Sequence, residues 1–281
     1  MNIHHDEGLV TQRAVPGPAL YFTSSMPSGE TKAVVGLLHG YADHAARYGH
    51  VMDFWAERGI GSVALDMRGH GRATGTRGYC ARFDEFLDDA AELARLVSDR
   101  ARGAQVFLFG HSFGGLVATI SVLEQQRSWR GLILSSPYIG LAMDVPKVKV
   151  VAGKIASRIL PKLALPTGIK GVDVTHDERR AKAYDEDPLV FKDARARWFV
   201  EATRAQERVL SRAHELALPL YMVFGTADPV AKLSAGRQLY DAAASKDKTW
   251  DRREGLRHET LNEPEWPDIA TKIAEWVLSH A

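Results

Sequence analysis

Apolar positions along the chain fall into two alternating patterns. One is a short, nearly continuous apolar run, as expected for a strand that is covered on both faces. The other repeats its apolar residues every three or four positions, as an amphipathic helix does. The predicted strands span residues 32–40, 59–66, 104–110, 130–136 and 218–225, with a further candidate at 247–254. The predicted helices span residues 47–59, 83–103, 114–126, 230–244 and 267–280. This alternation predicts an α/β protein with a mostly parallel, doubly wound sheet.

Two weaker strand patterns, near residues 8–13 and 19–25, precede the alternation and predict an antiparallel edge. The alternation stops between about residues 138 and 212, where the composition is helical and basic and no strand-like run is found. We therefore predict a helical cap over residues 138–212, inserted after the sixth strand. Residues 1–137 and 213–281 together would form the core domain.

Composition adds little to this picture. Of the 281 residues, 45% are hydrophobic and 25% are charged, which is ordinary for a globular protein with a real core. A net charge of +1 gives no reason to expect a nucleic-acid partner. The single cysteine, Cys80, cannot form an internal disulfide and is predicted to pack in the core.

The N-terminal residues are polar and lack the apolar segment of a signal peptide. No run approaches the roughly 18 apolar residues that cross a bilayer. The sequence therefore predicts a soluble, cytoplasmic protein, and peripheral contact with a membrane surface stays open.

The residues GHSFG at 110–114 match the pattern G-x-S-x-G between a predicted strand and a predicted helix. A strand that turns sharply into a helix strains the residue at the turn, and the flanking glycines leave room for neighbouring backbone. Ser112 would then project beside the N–H groups at the helix N-terminus. A glycine-rich turn that serves packing or binds phosphate is the alternative. The position between strand and helix favours a nucleophile.

A serine hydroxyl needs a base, and the base needs an orienting acid. On a strand–turn–helix scaffold these partners follow in the order Ser, acid, His, each in a loop after a later strand. Asp228 comes three residues after the strand that ends at Gly225, and His258 follows the candidate strand 247–254. Alone, Asp228 is consistent with a turn and His258 with a surface histidine. Together with Ser112 they predict a nucleophile, an acid and a base.

An acyl-transfer site also needs donors for the oxyanion. One predicted donor is the backbone N–H of Phe113, directly after the serine. The other is the N–H of Tyr41 in the loop 39–44, which follows the first central strand. A rival interpretation makes the histidine and aspartate residues of this loop a metal site. No other histidine–acid cluster stands out to complete a shell, and we predict no metal.

Eight motifs together resemble one group of hydrolases. They are LLHGYADHAARY (37–48), LDMRGHGRATGTRGY (65–79), GHSFGGLVA (110–118), LSSPYIG (134–140), YDEDPLV (184–190), GTADPV (225–230), SKDKTW (245–250) and EGLRHETLNEPE (254–265). From about residue 15 onward the chain is similar to α/β-hydrolases of the monoacylglycerol lipase and lysophospholipase type, which are also grouped with the serine aminopeptidase-like hydrolases. The site residues implied by this resemblance are catalytic Ser112, Asp228 and His258, with oxyanion donors Tyr41 and Phe113. Ala73 stands where the family usually has serine, and little effect on the reaction class is expected.

The resemblance also implies roles around the cap, which would cover Ser112. Tyr184, just before the D-P-L motif, is implied to reach toward the polar head of the substrate. Asp43 and Arg47 match a charged pair beside the oxyanion loop, for which a structural role is favoured over substrate binding. His111, next to Ser112, is a further candidate substrate contact.

The cap segment 144–166 carries five basic residues and one acid. Two rows with a spacing of four run along it, basic Lys154, Arg158 and Lys162 and apolar Val151, Ile155 and Ile159. The favoured interpretation is an ordinary cap helix whose apolar row packs on the main domain. The alternative is a helix that lies on an anionic lipid surface or lines an acyl tunnel, where Ile155 and Ile159 would contact substrate, and both roles together also stay open.

These observations predict a serine hydrolase of carboxylic esters that uses neither a cofactor nor a metal. Monoacylglycerols are the first predicted substrates, followed by lysophospholipids or short-chain esters. Three alternatives stay open: an aminopeptidase or other amidase, an acyltransferase or thioesterase, and a non-catalytic ligand-binding protein on a hydrolase scaffold. The predicted partner is a small lipid or ester, and no oligomeric state is predicted.

Overall fold

A computed structural model describes residues 2–12, 17–142 and 147–281, apart from the side chains of residues 147–152. Within these ranges the strands are β1 (Ile3–Thr11), β2 (Ala19–Pro27), β3 (Ala33–Leu38), β4 (Ile60–Asp66), β5 (Gln105–His111), β6 (Gly131–Ser135), β7 (Ala164–Pro166), β8 (Asp193–Arg195), β9 (Leu220–Gly225) and β10 (Lys248–Arg253). The α-helices are α1 (Gly49–Ala56), α2 (Asp84–Ala101), α3 (Phe113–Glu124), α4 (Lys147–Ile159), α5 (Gly171–Val174), α6 (Glu178–Glu186), α7 (Ala196–Arg212), α8 (Leu233–Ala242) and α9 (Trp266–Ser279).

Eight of these strands form one sheet in the order β1-β2-β4-β3-β5-β6-β9-β10. β2 pairs antiparallel with both β1 and β4, and the other neighbours pair in parallel. The predicted parallel sheet with an antiparallel edge is therefore confirmed. β1 begins earlier than the predicted 8–13, and Arg13 lies outside the described residues. The cap follows β6, the sixth strand, as predicted.

Alternate side chains of the parallel strands enter two hydrophobic cores, one on each face of the sheet. On β3, Val34 and Leu38 belong to one core, and Val35 and Leu37 belong to the other. Helices α2 and α3 cover the first face, and α1 and α9 cover the second. Because both of their faces are covered, the central strands β3, β4, β5, β6 and β9 carry continuous apolar runs. Cys80 is buried in the first core, as predicted.

The cap is mostly helical, but β7 and β8 form a small antiparallel ladder within it. The prediction of no strand between residues 138 and 212 is therefore wrong. Each of these strands has only three residues, and the pairing joins segments that are distant in sequence, so no local apolar run marks them. Helix α7 of the cap packs against α3, so the cap lies next to the helix that begins directly after Ser112.

The two described side chains of the apolar row of α4 face away from the protein. Ile155 is 55% exposed and Ile159 is 71% exposed, so the expectation that this row packs on the main domain is wrong for both. The side chain of Val151 lies outside the described residues. Ser157 is buried instead, so α4 packs on the rest of the protein through the face that carries this small side chain. None of the described helices combines the length and hydropathy that a membrane crossing requires.

Candidate active site

Ser112 occupies the sharp turn between β5 and α3. Its backbone has φ 51° and ψ −118°, a strained conformation for a residue with a side chain. A Cβ at Gly110 or Gly114 would collide with backbone atoms, so the glycine spacing is what permits the turn. The Ser112 N–H donates to the Ser135 carbonyl at 2.9 Å, which fixes the turn against β6.

The predicted nucleophile, base and acid meet at this turn. The Ser112 Oγ lies 2.8 Å from His258 Nε2, and His258 Nδ1 lies 2.8 Å from Asp228 Oδ2. The other Asp228 oxygen accepts the N–H groups of Val230 and Ala231 at 2.8 and 2.9 Å, which fixes the rotation of the carboxylate. The Asp228 and His258 side chains are 1% and 6% exposed. The three groups therefore form a buried, hydrogen-bonded line.

Opposing influences set the pKa of His258. Burial acts to lower it, but the adjacent Asp228 carboxylate outweighs burial, and Glu259 and Asp43 act in the same direction as Asp228. The net result is a pKa above the ordinary histidine value. For His111, whose ring centroid is 4.8 Å from that of His258, burial and the His258 charge lower the pKa to about 4. His111 is therefore neutral near pH 7.

The predicted oxyanion loop lies directly beside the serine. A Cβ built on Gly40 would be 3.4 Å from Ser112 Cβ, which is van der Waals contact and shows how close the loop lies to the serine. Within the described residues, the backbone N–H groups of Tyr41 and Phe113 have no hydrogen-bond acceptor. Phe113 is the first residue of α3, where such N–H groups face outward with the positive end of the helix dipole. Both predicted donors are thus available to a ligand oxygen.

The Tyr41 side chain ties this loop to the cap. Its hydroxyl donates to the Gly78 carbonyl at 2.9 Å and accepts the Arg195 N–H at 3.2 Å. Its ring stacks on Trp198 with centroids 3.5 Å apart. The predicted donor residue is therefore held both by the core and by cap elements β8 and α7. Nothing in the local sequence signals these contacts, which depend on the packing of the cap.

The predicted charged pair is present, and the structure adds a third member. Arg47 Nη1 lies 2.9 Å from Asp43 Oδ1. Arg47 also makes two bonds to Glu259, at 2.7 and 2.6 Å. Sequence reasoning missed Glu259, although it follows His258 directly. Tyr48 donates its hydroxyl to the second Asp43 oxygen at 2.8 Å.

The loop histidines considered for a metal have other partners. His39 lies 2.7 Å from the Gly40 carbonyl through Nδ1 and accepts the Met67 N–H through Nε2 at 3.1 Å. His44 Nε2 pairs with Asp187 at 2.9 Å. In the described ranges, no group of three or more His, Cys, Asp or Glu side chains is arranged to hold a metal ion.

A cavity of about 410 Å³ opens above Ser112 between the core and the cap. Of the predicted substrate contacts, Tyr184, His111 and Asp43 line it. The lining from the described part of the chain does not include Ile155 or Ile159, because their side chains point to solvent. Sequence reasoning missed most of the apolar wall, which is formed by Tyr138, Leu141, Leu165, Ile169, Val174, Trp198, Phe199 and Val230.

The sheet order and the strained serine turn are those of an α/β-hydrolase, and the chain has that fold. A family model described as "Serine aminopeptidase, S33" matches residues 29–265, so the chain belongs to this family.

Two relatives and one solved structure extend this match along nearly the whole chain. A monoacylglycerol lipase from Mycolicibacterium smegmatis is 29% identical over 267 residues, which cover 95% of each chain. Phospholipase YtpA from Bacillus subtilis is 32% identical over 240 residues, 84% of this chain and 92% of the relative. The crystal structure of the Paleococcus ferrophilus monoacylglycerol lipase superposes with a TM-score of 0.81 at 27% identity and covers both chains completely. Because these relatives are lipases and a phospholipase that match nearly the whole chain, the chain is a carboxylic ester hydrolase of the lipolytic type.

Proposed function

We propose that the chain hydrolyses monoacylglycerols through an acyl-enzyme on Ser112. The observation that carries this proposal is the buried line from Ser112 through His258 to Asp228 at the base of a largely apolar cavity. An acyl chain matches the apolar wall, and the volume of about 410 Å³ is that of a small-ligand site. The relatives named as monoacylglycerol lipases support the same substrate class.

In the proposed reaction, Ser112 Oγ attacks the ester carbonyl carbon while His258 Nε2 takes the hydroxyl proton. The resulting oxyanion accepts the N–H groups of Tyr41 and Phe113. Collapse of this intermediate breaks the bond to the glycerol oxygen, which receives the proton from His258. Water then attacks the acyl-enzyme carbonyl carbon and gives a proton to His258. The second collapse breaks the bond to Ser112 Oγ, which takes that proton from His258, and the fatty acid is released.

The charges beside the serine favour a neutral polar head over an amine. An aminopeptidase needs an anionic group for the substrate ammonium. The Asp43 and Glu259 carboxylates line the cavity, but both are already paired with Arg47. Glycerol hydroxyls make no such demand, and the hydroxyl of Tyr184, which lines the cavity, can donate a hydrogen bond to them or accept one from them.

A panel of purified substrates tests this choice. We expect hydrolysis of monoacylglycerols with a kcat/KM at least tenfold above that of matched lysophosphatidylcholines, and no measurable cleavage of aminoacyl anilides. Fatty acid release is measured by titration, and product analysis with added alcohol tests for acyl transfer. Faster turnover of the anilide than of any ester would refute the proposal in favour of the amidase alternative.

We also propose that α4 and the turn after it contact a lipid surface. Beside Ile155 and Ile159, three leucines that follow α4 are exposed: Leu160 at 59%, Leu163 at 40% and, in β7, Leu165 at 47%. The basic row of Lys154, Arg158 and Lys162 is exposed along the same segment. Apolar side chains with flanking cations suit the interface of an anionic bilayer. Leu165 also lines the cavity, so this surface adjoins the route by which a lipid would enter.

Vesicle sedimentation tests this surface. The double variant Ile155→Ser/Ile159→Ser is expected to bind vesicles that contain phosphatidylserine with an affinity at least about fivefold lower than that of the wild type, because two exposed apolar side chains are removed. Leu9→Ser is the matched control, since Leu9 is 65% exposed on β1, far along the sheet from the cap. Equal binding by the double variant and the wild type would contradict the proposed contact.

A further inference from the structure

A buried guanidinium lies between two carboxylates next to the candidate active site. The Arg47 side chain is 10% exposed, and those of Asp43 and Glu259 are 4% and 5% exposed. Arg47 Nη1 contacts both carboxylates, at 2.9 Å to Asp43 and 2.7 Å to Glu259, and Nη2 makes a second bond to Glu259 at 2.6 Å. We call these three residues the Arg47 cluster.

The Arg47 cluster joins the oxyanion loop to the loop that carries His258, and the proposed reaction requires a fixed distance between these two loops. Asp43 belongs to the oxyanion loop, where one of its oxygens accepts the His44 N–H at 2.8 Å and the other lies 3.4 Å from the Gly40 N–H. Glu259 follows His258, so its side chain anchors the loop that carries the base. The Glu259 N–H donates to the Val174 carbonyl of the cap at 2.8 Å. Arg47 therefore bridges the donor loop and the base loop directly.

Among the described residues, no side chain of the cluster makes a hydrogen bond to Ser112, His258 or Asp228. Besides the backbone bonds given above, these side chains bond to one another, to Tyr48 and to Asn262, whose amide donates to Glu259 at 2.8 Å. The Arg47 guanidinium lies 4.9 Å from the centroid of the Tyr184 ring, which covers it from the cap side. The two parallel hydrogen bonds of a bidentate arginine–carboxylate pair fix the relative orientation of the two groups, which a single ion pair does not. These features indicate alignment of the loops rather than contact with the scissile bond.

The two carboxylates of the cluster also act on the pKa of the candidate base, His258. Among the described residues, the carboxylates with the largest influence on the pKa of His258 are those of Asp228, Glu259 and Asp43, and the His111 ring centroid lies 4.8 Å from that of His258. Without Arg47, the carboxylates of Asp43 and Glu259 would face His258 uncompensated. In a buried site, such charges act on an imidazolium with little screening.

We propose that Arg47, held between Asp43 and Glu259, is a positioning residue that fixes the oxyanion loop relative to His258 and balances the two carboxylates beside the base. The charged pair predicted from sequence, Asp43 and Arg47, would therefore align the two loops, and Glu259 would be the third residue that does so. The inference rests on the proposed function, because it takes Ser112 as nucleophile and His258 as base.

Two substitutions with opposite electrostatic effects test the proposal. Arg47→Met removes the cation, which favours the protonated imidazole, so the acid limb of kcat/KM is expected to move to higher pH by at least about 0.5 unit. Glu259→Gln removes an anion and is expected to move this limb to lower pH by a similar amount. For a nitrophenyl ester, kcat is expected to fall about 10- to 100-fold in Arg47→Met, with KM changed less than about threefold.

The conservative variant and a matched control separate positioning from loss of fold. Arg47→Lys keeps the charge but loses the bidentate geometry, so we expect a wild-type acid limb with an intermediate kcat. Arg253→Met is the control, because Arg253 also bridges two carboxylates, Asp251 at 2.7 Å and Asp268 at 2.5 Å, and its side chain is 14% exposed. Its acid limb and KM are expected to match the wild type.

The rate of labelling by a fluorophosphonate probe, measured against pH, reports on Ser112 without reference to the natural substrate. If the wild type is not labelled at Ser112, the proposed function fails. If it is labelled with an acid limb, but Arg47→Met and Glu259→Gln do not shift this limb in opposite directions, the inference fails alone. Should Arg47→Met not fold by circular dichroism, Glu259→Gln and Arg47→Lys carry the same test, and an unchanged limb in Glu259→Gln overturns the proposal.

Discussion

Ser112→Ala is expected to lower kcat for ester hydrolysis by at least about 10⁴-fold, because no acyl-enzyme can form without the hydroxyl. The fold should persist, because alanine keeps the Cβ that the turn already accommodates. Two backbone hydrogen bonds of 2.9 Å, from the Ser112 N–H to the Ser135 carbonyl and from the Tyr138 N–H to the Ser112 carbonyl, also hold the strained turn. Stopped assays with a nitrophenyl ester, together with mass spectrometry after fluorophosphonate treatment, measure activity and the modified peptide. The probe is expected to add mass to the wild-type peptide that contains Ser112 and to none in the variant.

Ser62→Ala is the matched control. Ser62 is also fully buried, on β4, and its hydroxyl has no partner among the described residues. Its removal should therefore leave activity and labelling at the wild-type level. Ester turnover by Ser112→Ala within tenfold of the wild type would place the nucleophile elsewhere and remove the basis of the proposed reaction.

Features that the local sequence encodes could be predicted well. The central strands are continuous apolar runs because helices cover both faces of the sheet, and β3 divides its side chains between two cores. The turn at Ser112 could be predicted because only glycine fits at positions 110 and 114, where backbone atoms lie too close for a Cβ. The convergence of Asp228 and His258 follows from the carboxyl ends of parallel strands, which meet at one edge of the sheet.

Features that depend on the arrangement of distant segments could not be predicted. β7 and β8 exist only as partners of each other and carry no apolar run. The exposed Ile155 and Ile159 have the spacing of a buried row, and spacing alone does not distinguish packing on protein from contact with lipid. Glu259 lies next to a predicted residue, but its role depends on the approach of Arg47 from another loop.

Asp228→Asn tests the electrostatics of the base more sharply than removal of the base itself. The Val230 and Ala231 N–H groups donate to one Asp228 oxygen, so the amide oxygen of asparagine is expected to remain there. The amide NH₂ would then face His258 Nδ1 in place of the acceptor oxygen. Nδ1 would have to accept a hydrogen bond, and the proton would move to Nε2, the atom that faces Ser112. Histidine in that tautomer cannot take the serine proton, and kcat should fall by about 10⁴-fold.

The pH dependence gives this variant a second, independent signature. In the wild type, burial lowers the pKa of His258, but Asp228 outweighs it and raises the pKa above the ordinary value. In the proposed reaction the active base is neutral, so wild-type activity is expected to be lost as pH falls through this raised pKa. Without the carboxylate, burial dominates, and the acid limb of the residual kcat/KM is expected to move to lower pH. Asp247→Asn is the control, because Asp247 bonds His280 Nε2 at 2.8 Å on the surface and should alter neither quantity. An acid limb that moves to higher pH in Asp228→Asn, or a kcat within tenfold of the wild type, would show that Asp228 does not govern the base.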